Sequence, residues 1–328
     1  MSSDSARGVQ HVPAREIPVP KSVSAEAQAV LASTEPPRRS RWEGLETSEE
    51  WRRAIAAQEE VVRTMLAHEG AGQLEARVEQ YRFDGATVYV ATPDPDQGDD
   101  RVRFEIHGGA LILGGGEMCR SGARRSADRT GMATWSVDYR MPPEFPYPTP
   151  LDDCVAAYRA LLNDHQPDRI VVAGGSAGGN LAAAMILRTR DEGLPLPAAV
   201  ILSSPEVDLT ESGDSFATNL GVDTILTSLM PVNLLYAAGH DLSDPYVSPL
   251  FGDFSKGFPP TFLSSGTRDL FLSNTARMHR ALRRAGVPAE LHVLEAAPHG
   301  HFLGQAPEDA ELADEANRFI EDFCPRSP

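Results

Sequence analysis

A serine set among glycines carries the clearest chemical signal in this sequence. The run Gly174-Gly175-Ser176-Ala177-Gly178 directly follows the apolar stretch 170–173 and directly precedes a helical pattern. This is the G-x-S-x-G pattern of a nucleophile elbow, a cramped strand-to-helix turn that exposes a serine hydroxyl. A turn that binds phosphate is the alternative, but the segment lacks the G-x-G-x-x-G register and a P-loop lysine. The pattern predicts that Ser176 is a nucleophile for acyl transfer.

A second glycine-rich loop is placed to stabilise the negative charge that such an attack creates. The tetrad His107-Gly108-Gly109-Ala110 follows the strand pattern RVRFEI. Glycines let backbone N–H groups approach a developing oxyanion, although a plain turn would also explain them. We predict an oxyanion hole formed by the N–H groups of Gly108, Gly109 and Ala177, each donor contributing about 3 to 4 kcal/mol.

A serine nucleophile needs a base and an acid that orients the base. Where the serine comes first along the chain, the acid and then the histidine follow it. His299 lies just after the last strand pattern, between proline and glycine, and is predicted to be the base, with His301 as its competitor. Asp269 follows the strand pattern PTFLSSG and is predicted to be the acid, while Asp208 remains the alternative.

The elements that must position these residues have the texture of an α/β protein. After residue 76, short β-rich runs are separated by Gly, Pro and Asp, and helical patterns alternate with the later runs. This alternation predicts a mainly parallel, eight-stranded sheet covered by helices on both faces. The strand runs are VEQYRF, ATVYVATP, RVRFEIH, ATWSVDYR, RIVVAGG, AAVILSSP, PTFLSSG and AELHVLEA. The helices are expected at 151–163, 177–190, 273–285 and 308–323.

The N-terminal segment before residue 76 does not show this alternation of strand and helix patterns. Five prolines within the first 40 residues exclude a continuous helix there, although a short one is expected at 25–32. Residues 48–69 predict a long helix with Trp51, Ile55 and Val62 near one face. A long connection between the sixth and seventh strands holds a helical pattern at 223–238. We therefore expect an N-terminal arm with cap helices (1–75) and a catalytic domain (76–328) with a cap insertion at about 209–250.

Composition narrows the partners and the compartment. The 328 residues carry 30 Lys and Arg against 47 Asp and Glu, which gives a net charge of −17. Such a charge argues against nucleic acid and anionic membranes as partners. The three cysteines, Cys119, Cys154 and Cys324, have no paired spacing, which favours free thiols over disulfides or a metal site. With no signal peptide or membrane-span pattern either, we expect a cytoplasmic protein without metal or cofactor.

Over about residues 80–325, these segments together resemble the hormone-sensitive-lipase-like (bacterial type IV) carboxylesterase family of α/β-hydrolases. The matching segments are HGGA, GGSAGGN, DYR at 138–140, PEFP at 143–146, SGDS at 212–215 and DPYVSPL at 244–250, with Asp269 and His299 in matching places. The resemblance implies an α/β-hydrolase fold with a helical cap, no cofactor, and hydrolysis of short- to medium-chain esters as small-molecule substrates. It also implies a homodimer through the last strand.

The family pattern is not complete, and two other functions stay open. Ala110 stands where the family usually has a third glycine, and Gly175 where it usually has an aspartate. Gly175 therefore removes a carboxylate beside the predicted elbow. A lactone hydrolase could use the same predicted machinery with a different pocket. A non-catalytic ligand-binding protein on this fold is the remaining alternative.

Overall fold

A twisted sheet forms the centre of the part of the chain that the structure describes. The computed structural model describes residues 10, 12–69, 75–94 and 98–327. Its eight strands in these ranges follow the spatial order β1-β2-β4-β3-β5-β6-β7-β8. They are β1 (Arg77–Phe83), β2 (Ala86–Thr92), β3 (Val102–Ile106), β4 (Ala133–Asp138), β5 (Ile170–Gly175), β6 (Ala199–Ser203), β7 (Thr261–Gly266) and β8 (Ala289–Leu294). Each of the eight predicted strand runs is a strand.

The direction of the strands confirms the predicted fold class. The pairs β1–β2 and β2–β4 are antiparallel, whereas every neighbouring pair from β4 to β8 is parallel. Asp84 and Gly85 join β1 to β2, and both have positive φ (48° and 95°). Positive φ at both central residues is what a tight hairpin turn requires. All parallel strands end at the same edge of the sheet, which brings the loops after β3, β5, β7 and β8 together.

Helices cover both faces of the sheet. They are α1 (Ala25–Ser33), α2 (Ser48–Glu69), α3 (Glu117–Thr130), α4 (Thr149–Leu161), α5 (Ala177–Asp191), α6 (Ser215–Thr218), α7 (Met230–Ala237), α8 (Leu272–Arg284) and α9 (Pro307–Phe323) within the described ranges. Successive strand residues point to opposite faces. Val172 accordingly packs in one core with Leu151 of α4 and Leu181 of α5, whereas Val171 packs in another with Phe319 of α9.

The sequence patterns located six of these helices to within two residues at each end and failed for the other three. They did not predict the four-residue helix α6. They missed α3, because its buried face consists of small side chains such as Cys119, Ala123 and Ala127 rather than a large apolar stripe. The helix expected at 223–238 begins only at Met230. Residues before it form turns, and the Asp223 carboxylate accepts the N–H groups of Ile225 and Leu226 at 2.8 and 3.2 Å.

The N-terminal segment packs beside the carboxyl edge of the sheet. Leu31 of α1 lies in one cluster with Phe302. The rings of Trp42 and Trp51 stack at 5.9 Å and share a cluster with Leu229 of the 209–250 insertion. Two elements predicted to form a cap are thus in contact. Their division into domains stays a prediction, because residues 70–74 at its boundary lie outside the described ranges, as do residues 1–9 of the expected arm.

Two further expectations concern surfaces. Within the described residues, no helix is both long and apolar enough to cross a bilayer. Strand β8 lies at an edge of the sheet and pairs with β7. An edge strand offers unpaired backbone groups to another chain. The homodimer implied by the family resemblance is therefore compatible with the sheet and stays a prediction.

A buried arginine ties the last helix to the start of β3. The Arg101 and Asp99 side chains are only 2% and 4% exposed and pair at 2.7 Å, and Arg101 also donates to Glu321 Oε1 at 2.8 Å. Arg101→Met should lower the free energy of unfolding by up to about 3 kcal/mol, because the buried Asp99 carboxylate then keeps only Arg326, at 3.4 Å, as an ion-pair partner. Urea denaturation followed by tryptophan fluorescence measures this.

The matched control for this prediction is Arg77→Met. Arg77 and Asp94 form a pair at 3.8 Å with side chains 71% and 55% exposed. An exposed pair of this kind contributes less than about 1 kcal/mol. Equal losses of stability in the two variants would contradict the assignment of a structural role to Arg101.

Candidate active site

The turn at Ser176 is sterically cramped and places its hydroxyl above the sheet. Ser176 follows β5 directly, has φ 55° and ψ −125°, and is the N-cap of α5. Its N–H donates to the Ser203 carbonyl at 2.9 Å. A Cβ on Gly178 would lie 2.1 Å from the Ile106 carbonyl oxygen, so only glycine lets α5 approach β3 this closely. The G-x-S-x-G pattern thus has the strand-turn-helix structure that it predicted.

His299 and Asp269 lie beside this hydroxyl. His299 Nε2 is 2.9 Å from Ser176 Oγ, and His299 Nδ1 is 3.1 Å from Asp269 Oδ1. The Asp269 side chain is fully buried and that of His299 is 9% exposed. Because β5, β7 and β8 are parallel, the loops that carry the three residues emerge at one edge. The structure therefore brings together the three residues predicted as nucleophile, acid and base.

Electrostatics in this group favour one proton arrangement. Burial by itself would lower the pKa of His299, but neighbouring carboxylates, Asp269 foremost, outweigh burial and raise it. Burial would likewise raise the pKa of Asp269, but the charge of His299 and its hydrogen bond lower it. An ionised Asp269 accepts the Nδ1–H of His299. This tautomer leaves the Nε2 lone pair free to accept the Ser176 hydroxyl proton.

Asp269 is itself held on several sides. Its Oδ2 accepts the Ser265 hydroxyl at 2.8 Å, and its Oδ1 accepts the Phe271 N–H at 2.8 Å. The Phe271 ring packs edge-on against the His299 ring with centroids 4.8 Å apart. These contacts restrict the carboxylate and the imidazole to one mutual orientation. Sequence patterns did not single out Ser265 or Phe271, since neither residue type indicates such a role by itself.

The alternative acid, Asp208, and the alternative base, His301, lie outside the hydrogen-bonded group around Ser176. Arg277 Nη1 donates to Asp208 Oδ2 at 2.6 Å, and the Ser212 hydroxyl donates to the same atom at 2.7 Å. Burial would raise the pKa of Asp208, but these donors and others lower it. His301 is buried, its Nε2 has no hydrogen-bond partner among the described residues, and burial lowers its pKa. Neither Asp208 nor His301 contacts the group around Ser176 through a hydrogen bond in the described ranges.

The predicted oxyanion donors flank the serine. A Cβ on Gly108 would lie 3.4 Å from Ser176 Cβ, and Gly109 lines the same cavity as Ser176 and His299. Ala177 is the first residue of α5, where N–H groups have no partner within the helix. The three predicted N–H groups thus belong to residues at or next to the serine.

Comparison with known proteins identifies the family. The sequence profile of a family described as alpha/beta hydrolase fold matches residues 104–303. The crystal structure of an esterase from the bacterial hormone-sensitive lipase family aligns with a TM-score of 0.77 and 30% identity, over 92% of this chain and 99% of that one. The chain belongs to the hormone-sensitive-lipase-like α/β-hydrolases.

Other relatives of this α/β-hydrolase bear related names. The crystal structure of a further esterase aligns with a TM-score of 0.88 and 36% identity, over 96% of this chain and 99% of that one. An acetyl-hydrolase of Streptomyces hygroscopicus is 36% identical over 197 residues, which are 59% of this chain and 66% of that protein. The matched region thus spans just under two thirds of the acetyl-hydrolase.

The two departures of this α/β-hydrolase from the family pattern have different structural costs. Ala110 has φ 52°, in the left-handed region that favours glycine, so the alanine is strained there. A Cβ on Gly175 would meet nothing closer than the Ser203 carbonyl oxygen at 3.5 Å, an ordinary contact. The position of Gly175 therefore has room for a side chain.

A cavity of about 470 Å³ opens onto Ser176. Most of its lining is apolar and comes from the N-terminal segment, the HGGA loop and the insertion. Two positively charged side chains, Arg39 and Arg41, also line the cavity. Arg41 donates a hydrogen bond to the side-chain oxygen of Gln58. No carboxylate is among the described residues that line the cavity, despite the net charge of −17. The lining is Pro37, Arg39, Arg41, Trp42, Gln58, Val62, Gly109, Ala110, Leu113, Ser176, Ile225, Leu226, Thr227, Leu229, His299, Gly300 and Leu303.

One group of side chains has metal-ligand character. Atoms of His107, Cys119 and Asp138 lie within 4.8 Å of one another in the described part of the chain. Each has a protein partner already: His107 Nδ1 meets the Gly108 carbonyl at 2.8 Å, and Cys119 Sγ meets Ser136 Oγ at 3.3 Å. Asp138 Oδ1 accepts a backbone N–H at 3.0 Å. Burial raises the pKa of the Cys119 thiol, which opposes the thiolate that a metal needs.

Gly109 provides a test of the oxyanion loop. It has φ 118°, and a Cβ there would lie 2.1 Å from the Leu113 carbonyl oxygen. Gly109→Ala should therefore displace the loop and lower kcat for an ester substrate by about 10²- to 10³-fold, as loss of one donor does. Gly193→Ala is the control, because Gly193 also has positive φ (75°) but has nothing within 4 Å of an added Cβ. Steady-state kinetics with a p-nitrophenyl ester compares the two variants. Equal effects on kcat would argue against a role of the loop in holding the oxyanion.

Proposed function

We propose that this protein is a serine carboxylic-ester hydrolase that cleaves short- to medium-chain esters through an acyl-enzyme intermediate. The single observation that carries the proposal is the continuous series from Ser176 Oγ through His299 to Asp269, with separations of 2.9 and 3.1 Å. Three groups in this order can activate a hydroxyl for attack on a carbonyl. The esterase and acetyl-hydrolase names of the relatives support the same reaction class.

In the proposed acylation step, Ser176 Oγ attacks the ester carbonyl carbon. His299 Nε2 accepts the hydroxyl proton as the bond forms, and the tetrahedral intermediate carries the negative charge on the former carbonyl oxygen. His299 then donates this proton to the leaving alcohol as the ester C–O bond breaks. Asp269 stays ionised throughout and stabilises the imidazolium that forms between the two proton transfers.

In the proposed deacylation step, water takes the place of the alcohol. His299 removes a proton from the water, which attacks the acyl carbon, and then returns the proton to Ser176 Oγ as the acid leaves. In both steps the N–H groups of Gly108, Gly109 and Ala177 would hold the oxyanion. Donors fixed in the fold before the reaction need little reorganisation when the charge develops.

The cavity supports esters with an apolar acyl chain as substrates. Its lining is mostly apolar, and it includes Trp42 and Val62 from the N-terminal segment and Ile225 and Leu226 from the insertion. We propose that the segment 1–75 and the insertion at about 209–250 together form the cap over Ser176. The length of acyl chain accepted would then depend on how these two parts meet.

Replacement of the nucleophile tests the whole proposal. Ser176→Ala should abolish nearly all turnover, because no other hydroxyl replaces the attacking group. The measurement is hydrolysis of p-nitrophenyl esters of rising acyl length, run beside simple lactones and followed by labelling with a fluorophosphonate. Wild-type protein should be labelled at Ser176 and should favour the shorter open-chain esters. A wild-type protein that is neither labelled nor active would refute the proposal and favour a binding function.

The two candidate acids separate cleanly by mutation. Asp269→Asn should lower kcat on the order of 10⁴-fold, because the amide cannot hold the His299 ring in the required tautomer. Asp208→Asn is the matched control: it changes a buried carboxylate of the same type that pairs with Arg277. The control should affect stability more than kcat of the folded enzyme. A larger loss of kcat in Asp208→Asn than in Asp269→Asn would transfer the acid role to Asp208.

A further inference from the structure

A second buried carboxylate, Asp223 of the insertion, contacts both loops of the acid–base pair. Its side chain is fully buried. Asp223 Oδ2 accepts the N–H of Leu270 at 2.8 Å, and Oδ1 lies 3.4 Å from the N–H of His299. Oδ1 also accepts the N–H groups of Ile225 and Leu226, which line the cavity over Ser176. One carboxylate thus joins a wall of the cavity to the loops that carry the acid and the base.

Asn219 completes this connection from the same segment. Its side-chain Nδ2 donates to the backbone carbonyls of Asp269 at 2.8 Å and Thr267 at 3.2 Å. The backbone carbonyl of Asn219 accepts the Asp223 N–H at 2.9 Å. The Asp269 carbonyl and the Leu270 N–H belong to one peptide unit. The insertion therefore holds both polar groups of the peptide unit that directly follows Asp269.

We infer that Asp223 is a positioning residue for ester hydrolysis, which fixes the acid and base loops and couples their geometry to the wall of the cavity. The inference rests on the proposed function. It assigns no contact with substrate to Asp223, which acts through Asp269, His299 and the backbone at 225–226. The insertion would then complete the acid–base geometry besides covering the cavity.

The charge of Asp223 also bears on His299. Burial by itself would lower the pKa of His299, but the carboxylates of Asp269 first, then Asp223 and to a small extent Glu206, outweigh burial and raise that pKa. Glu206 contributes little charge near neutral pH, because burial and the charge of Glu211 raise its pKa to about 8. Burial also raises the pKa of Asp223, but the hydrogen bonds that the structure gives its carboxylate come from N–H donors, which favour the ionised form.

The sign of the expected pH effect follows from these charges. Hydrolysis needs neutral His299, so kcat/KM falls as the pH decreases through the pKa of His299 in the free enzyme. Asp223 and Asp269 stabilise the imidazolium, whereas His301 stays neutral because burial lowers its pKa and therefore adds no opposing positive charge. Removing the charge of Asp223 should therefore lower the pKa of His299 and move the acid limb to lower pH.

The decisive variant is Asp223→Asn, assayed with p-nitrophenyl acetate and butyrate. We expect kcat to fall about 100-fold, the loss that a displacement of about 1 Å can cause. We expect the acid midpoint of kcat/KM to move down by on the order of 1 pH unit. We also expect KM to rise more for butyrate than for acetate, because residues 225 and 226 lose their anchor.

Two further variants separate charge from geometry. Asn219→Ala removes the bonds to the Asp269 and Thr267 carbonyls but keeps the carboxylate of Asp223, so kcat should fall while the acid midpoint stays in place. Asp223→Glu keeps the charge on a longer side chain and should likewise lower kcat without moving the midpoint downwards. These two variants test the inference even where Asp223→Asn does not fold, which thermal unfolding reveals.

The matched control is Asp241→Asn in the same insertion. Asp241 Oδ1 accepts the N–H of Ser243, two residues on, at 2.9 Å, the same local bond that Asp223 makes to Ile225, but Asp241 is exposed. The control should keep the kcat, KM and acid midpoint of the wild type.

A folded Asp223→Asn enzyme with the kcat and acid midpoint of the wild type would overturn the inference, even if this variant were less stable than the wild type. For unfolded Asp223→Asn, wild-type kcat in both Asn219→Ala and Asp223→Glu would overturn it. These results differ from failure of the proposed function. In that case the wild type itself would not hydrolyse the esters, or Ser176→Ala would remain active.

Discussion

The contact between the Ser176 hydroxyl and the His299 imidazole is the interaction on which the rest of the structure depends. The two residues are 123 positions apart in the chain and 2.9 Å apart in space. Such a contact requires two loops to end at the same edge of the sheet, which parallel strands accomplish. It also requires α5 to start immediately after β5. Gly178 permits this by letting the first turn of the helix lie against the end of β3.

The charged groups around this contact do not follow the net charge of the chain. The chain is strongly acidic, yet Arg39 and Arg41 are the charged residues that line the cavity in the described ranges. Just beneath the cavity, Asp269 and Asp223 are fully buried, and each accepts several hydrogen bonds. A buried carboxylate is stable only when such donors replace its water. The net charge therefore says little about the field at the serine.

Local sequence was informative wherever a short segment determines its own conformation. The elbow around Ser176, the eight strand runs and the ends of most helices depend on glycines, apolar runs and alternation that neighbouring residues carry. Helix α3 was missed because its buried face is made of small side chains, such as Cys119 and Ala127. Small side chains let the helix pack closely on the sheet, but they do not form a recognisable apolar stripe in the sequence. The family profile then confirmed the fold class, and the aligned structures confirmed the family resemblance.

By itself, the sequence determined the parallel sheet, the serine turn and a short list of acids and histidines. Only the tertiary structure decided which members of that list come together. Asp208 and Asp269 both follow strands, but Arg277 on α8 pairs with Asp208, while Ser265 and Phe271 orient Asp269 towards His299. The contacts of Asp223 with the loops at 270 and 299 span 47 and 76 residues. No local pattern encodes such pairings, because they arise only when separate loops meet at one edge of the sheet.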